Sequence, residues 1–97
     1  MDADATAYID LVHEIMRYPE NPELRAKAGE MALSEGARKE AFAWLQSALL
    51  CDPSHAQTHR TLARYYSEAG HQDLAARHLA RAEGETDSTL STAAPAP

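Results

Sequence analysis

"YYSEAGHQDLAARHLARAEG", residues 65–84, places the small residues Gly70, Ala75 and Ala82 where a helix-forming chain could have carried leucine. The same spacing stands 34 residues earlier as Gly36, Ala41 and Ala48, with Leu45 answering Leu79. Pro19 matches Pro53 at that offset, and Ala28-Gly29 matches Leu62-Ala63. A repeated period of this length predicts a repeated helix-turn-helix unit. Each glycine supplies a left-handed turn between two helices, and the alanines let those helices approach closely, where larger side chains would push them apart.

The helices are predicted outward from this stretch. Tyr8, Leu11, Val12 and Ile15 recur at helical spacing opposite Asp10, His13, Glu14 and Arg17, giving an amphipathic first helix. Pro19 and Pro22 end it. Asn21 is placed to cap a second helix, with Pro22 at its first position and Glu23 at the positive end of its dipole. That helix runs to about Ser34. A third covers "RKEAFAWLQSALLC" until Asp52 and Pro53 break it, a fourth runs from about Ala56 to Ala69 with Ser54 as its cap, and a fifth opens at Asp73 and ends near Gly84. The stretch "ETDSTLSTAAPAP" is polar, contains proline and has no period, so residues 85–97 are predicted to be a disordered tail.

Composition agrees with an all-helical chain. Val12 is the only valine, and Ile9 and Ile15 are the only isoleucines. The 97 residues make one small domain, which buries about 60 to 65% of its unfolded surface and must pack efficiently. The single cysteine, Cys51, excludes an intramolecular disulfide and a cysteine-based zinc site. No apolar run reaches the roughly 20 residues of a membrane span. The acidic start "MDADATAY" lacks the pattern of a signal peptide, so the chain is expected to be soluble and cytoplasmic, with no direct membrane insertion. The net charge is −6. All 9 Lys and Arg fall between Arg17 and Arg81, whereas Asp2, Asp4, Asp10, Glu14, Glu83, Glu85 and Asp87 lie outside that span. The acidity therefore belongs mostly to the two ends and argues against nucleic-acid binding.

With its period of 34, glycine turns and alanine contacts, the chain resembles the tetratricopeptide repeat family. The resemblance implies an all-α fold of antiparallel helix-turn-helix repeats forming a short right-handed α-solenoid of five helices. Residues 1–20 would be a half-repeat helix, 21–55 a first full unit and 56–84 a second. Glu14 stands where the family places alanine. Arg25 and His59 stand where it often places tryptophan, which implies weaker contacts of both first helices than the family norm.

Few residues are of types that carry chemistry. His55 and His59, four apart, share the spacing of two-histidine metal sites, but "HAQTH" lacks the glutamate of a metalloprotease helix and no third ligand is evident. His71 and His78 are expected to be solvated. Cys51 falls on an apolar position of the family and is expected to be a buried, inert thiol. No nucleophile elbow or phosphate loop is present, so no enzyme activity and no cofactor are expected. Trp44 reads either as core packing or as an exposed contact residue.

The resemblance also implies a groove. In this family the first helices of the units line a concave face, which maps here to Glu23, Ala26, Lys27, Glu30, Leu33 and Ser34, then Gln57, Arg60, Thr61, Arg64, Ser67 and Glu68. Arg60 and Arg64, one turn apart, suit a carboxylate of an acidic partner segment; alternatively Arg64 pairs with Glu30 of the neighbouring helix. The Lys and Asn set of the family's chaperone-tail clamp is absent. The expected function is a non-catalytic protein–protein interaction module or adaptor that binds a partner peptide or docks in a larger assembly. The alternatives are a piece of a longer repeat scaffold, a homodimer joined where Leu79 would lie open, or a histidine-dependent metal or haem accessory.

Overall fold

A computed structural model describes residues 3–84, and the predicted tail at 85–97 lies outside them. Five helices follow one another: α1 (Ala3–Arg17), α2 (Pro22–Ser34), α3 (Arg38–Cys51), α4 (Ala56–Glu68) and α5 (Gln72–Ala82). Local chemistry sets most of the boundaries. Asn21 Oδ1 accepts from the amides of Glu23 at 2.9 Å and Leu24 at 3.4 Å, which starts α2 directly behind Pro22. Gly36 at φ 83° and Gly70 at φ 86° end α2 and α4 in the left-handed conformation. After α2, the amides of Gly36 and Ala37 return to the carbonyls of Leu33 and Ala32; after α4, those of Gly70 and His71 return to Ser67 and Tyr66. The two turns are the same motif, as the repeat period requires.

The expected cap of α4 is corrected. His55 stands at the N-cap position and makes no side-chain bond to the helix backbone. Ser54 instead turns back, its amide and hydroxyl donating to Asp52 Oδ1 at 3.1 and 3.2 Å. An aspartate two residues before an amide competes effectively for it, so Asp52 shapes the loop and Ser54 is drawn away from α4.

Short turns fold α2 back on α3 and α4 back on α5, and these are the most extensive helix pairings. Secondary packing joins α1 to α2, α2 to α4 and α3 to α4, while α5, among the described residues, packs on α4 alone. The core lies along these contacts: Ala26, Ala28, Ala41, Leu45, Ala48 and Leu62 are all 0% exposed. Gly29 shows how close the approach is. A Cβ there would stand 2.6 Å from Cδ2 and 2.7 Å from Cγ of Leu45, so α2 meets α3 only because that side chain is missing. Leu11 and Leu45 are 7% and 0% exposed, whereas Leu79, at the same repeat position, is 46% exposed because no further helix lies against α5 among the described residues. None of the helices is long and apolar enough to cross a membrane.

Candidate partner-binding face

The two first helices of the units, α2 and α4, pack side by side and are tied across their shared face by polar side chains. Gln57 Nε2 donates to Glu30 Oε2 at 2.6 Å, and Thr61 Oγ1 reaches the same oxygen at 3.4 Å. Glu30 is thereby spent on holding α4. Ala26, Leu33 and Thr61 are 0%, 4% and 3% exposed, which removes them from the predicted groove surface: Leu33 joins the cluster of Ala32 and Ala41, and Thr61 turns to Glu30. Glu23, Lys27, Ser34, Arg60, Arg64, Ser67 and Glu68 remain exposed.

The two arginines differ. Arg64 Nε donates to Glu68 Oε2 at 3.1 Å, so its expected pairing with Glu30 is replaced by a bond one turn along its own helix. Glu68 is itself shared: its other oxygen lies 3.4 Å from Nη1 of Arg38, whose Nη2 donates to the Tyr65 carbonyl at 2.8 Å and whose guanidinium sits 4.3 Å over the Tyr65 ring. Arg60 Nη2 meets only the neutral Gln57 Oε1, at 3.2 Å, among its described bonds. Its charge is thus the less committed of the two. Lys27 lies apart from both, on the rim of a cleft formed with Ala7, Asp10, Leu11, Glu14 and Met31.

The aromatic candidate is held between helices. Trp44 is half-buried against the cluster of Leu11, Ile15 and Ala28, and its Nε1 donates to the hydroxyl of Tyr8 at 2.7 Å, linking α3 to α1. Its one hydrogen-bond donor is therefore satisfied within the chain.

The histidine expectations change most. His55 and His59 do not converge: His55 Nδ1 contacts Thr58 Oγ1 at 2.9 Å, while His59 turns to α5, where its Nδ1 lies 2.9 Å from His78 Nδ1. His59 Nε2 lies 2.8 Å from the carbonyl of Pro53, and the residue is 1% exposed. His78 is consequently not the solvated side chain expected; it also stacks on Tyr66 at 5.4 Å with planes 8° apart. The His59 and His78 centroids are 5.1 Å apart, longer than the nitrogen contact by about one ring diameter, so the rings lie end to end rather than face to face. Two imidazole nitrogens on a tetrahedral zinc ion stand about 3.3 Å apart, with both lone pairs aimed at the metal rather than at each other. The spacing suits a shared hydrogen instead. Burial, then His59, then Arg81 hold the His78 pKa below its ordinary 6.5. Cys51 is corrected too: it is exposed, at the C-terminal end of α3 beside Glu20, Arg25, Ser47 and Leu50, with its thiol 3.7 Å from the Pro19 carbonyl.

Sequence reasoning missed Glu68 as the acid that engages Arg38 and Arg64, although its spacing from Arg64 was visible as an i, i+4 pair. It also missed the register of His59. Arg25 precedes it by 34 residues, and Arg25 Nε donates to the carbonyl of Pro19 at 2.9 Å just as His59 meets Pro53.

No protein-family model matches the chain. It is 36% identical over 77 residues, 79% of its length, to the TPR repeat-containing thioredoxin TTL4 of Arabidopsis thaliana, and it spans 11% of that protein. The period, the paired helices it builds and this relative place the chain in the tetratricopeptide repeat family. That family is generally one of protein-interaction modules.

Proposed function

We propose that the chain is a non-catalytic interaction module that holds a segment of a partner protein across the shared face of α2 and α4. Arg60 carries this reading: an exposed guanidinium bonded to a neutral amide keeps its charge for a partner carboxylate, with Arg64 beside it and Gln57 and Glu30 fixing the helix that presents both. Lys27 offers a second cation on α2, bordered by Asp10 and Glu14. The face mixes both signs, so it suits a segment with one carboxylate opposite Arg60 better than a uniformly acidic tract. The single Cys51 leaves this chain without a second thiol for dithiol–disulfide exchange, which supports a binding role over a redox one. Replacing Arg60 and Arg64 by Ala together is expected to weaken partner binding and its salt dependence while helicity is kept; an unchanged, salt-insensitive complex would defeat this reading.

A second reading rests on Leu79. Its 46% exposure, against 7% and 0% at the equivalent Leu11 and Leu45, leaves the free side of α5 open to a second copy of the chain or to a further helix of a longer repeat scaffold.

A further inference from the structure

His59 is turned toward α5 rather than onto the face of Arg60 and Arg64, and its contacts fix where protons sit. A carbonyl only accepts, so the 2.8 Å contact with Pro53 places the hydrogen of neutral His59 on Nε2. Nδ1 is then an acceptor, and the 2.9 Å contact requires His78 to donate from its own Nδ1. Both nitrogens of His59 are used, and at 1% exposure no water can replace either partner. The helix on the other side of this bond has a single support: Ala75 is the one buried residue of α5, and α4 is the one helix it packs against among the described residues.

We propose that the His59–His78 bridge is an acid-sensitive latch that keeps α5 docked on α4. The bridge accepts one added proton, at His78 Nε2, because His78 can still donate from Nδ1 to neutral His59. A proton on His59 Nδ1 sets two N–H groups against each other across 2.9 Å, and the bond must break. The charged side chain facing the pair opposes a further positive charge. Tyr66 of α4 stacks on His78, His71 of the α4–α5 turn lies 6.3 Å from Tyr66, and Arg81 of α5 repels a cation at His78. Among the described residues, no carboxylate is bonded to or stacked on either histidine. Acid therefore favours the undocked helix, in which His78 is released from the burial and the neighbours that oppose its charge, by up to about tenfold per pH unit for each extra proton bound.

Amide hydrogen exchange on the intact chain, corrected for the intrinsic effect of pH, tests the latch. Between about pH 7.5 and about pH 5, α5 is expected to lose tenfold or more of its protection while α2 and α3 lose little. In His78→Asn the amide group can donate to neutral His59 or rotate to accept from protonated His59, so α5 should stay protected at the lower pH. Nitrogen NMR of the rings near neutral pH should show the Nε2–H form of His59 and the Nδ1–H form of His78. Equal loss of protection across all helices, an acid response unchanged in His78→Asn, or the same tautomer in both rings would each overturn the proposal.

Discussion

Arg25 and His59 serve one purpose in successive repeats: each donates a side-chain N–H to the carbonyl of the proline six residues before it, Pro19 at 2.9 Å and Pro53 at 2.8 Å. The family often has tryptophan at this position, and tryptophan too carries a ring N–H, so the substitution keeps the donor rather than merely weakening the contact. The environments differ, since His59 is buried and Arg25 is not. His59→Ala leaves the Pro53 carbonyl and the His78 donor without partners and is expected to cost about 1 to 3 kcal/mol in urea unfolding. Arg25→Ala should cost less than about 1 kcal/mol. Equal losses would show that the buried bonds at His59 contribute nothing beyond the exposed one.

Gly29 gives the sharpest test of the helix register. Gly29→Ala should stabilise a free helix by about 1 kcal/mol, yet its Cβ would stand 2.6 Å from a Leu45 that is itself 0% exposed. The expected outcome is a loss of about 1 to 3 kcal/mol from overpacking, and a similar loss for Ala41→Leu. The exposed Ala43 and Ala76 should accept leucine within about 0.5 kcal/mol. Thermal melts that rank all four alike would put the alanine contacts in the wrong place.

Stability should also follow pH in a fixed direction. Because the folded protein holds the His78 pKa below 6.5, the unfolded chain binds more protons in the window just under that value. The contribution is complete above the window and is lost as pH falls through it. Urea midpoints measured downward from neutrality should therefore decline, and His78→Asn should flatten the decline.

Leu79 decides whether the free side of α5 is an interface. If a second copy covers it, sedimentation equilibrium at micromolar concentrations will show a dimer, and Leu79→Glu will return a folded monomer. A wild-type monomer at every concentration would leave that side to another chain or to a longer scaffold.

Most of the fold was legible because its signals are local. Asn21-Pro22 starts α2 and Gly36 ends it within reach of their own backbone bonds, and the boundaries of α2 and α3 fall where the residues place them. The period of 34 then supplies the pairing. The side-chain network was less legible because it depends on which helices meet. His78 reads as solvated until α5 is laid on α4, and Cys51 reads as buried until the end of α3 is seen to stand exposed beside the loop at Pro19. The groove positions share this difficulty: Ala26, Leu33 and Thr61 look no different from exposed neighbours until the helices are packed together.

Site-directed photo-crosslinking tests the central claim most directly. A photoreactive residue at Ser34 or Ser67, exposed on α2 and α4, is compared with one at Ala43, exposed on α3, in the intact chain within the cells that express it. A partner that docks across the α2 and α4 face will be captured from Ser34 and Ser67 and not from Ala43, and Arg60→Ala will reduce that capture. Crosslinking from Ala43 with none from Ser34 or Ser67 would contradict the account and move the binding surface to the second helices of the repeats.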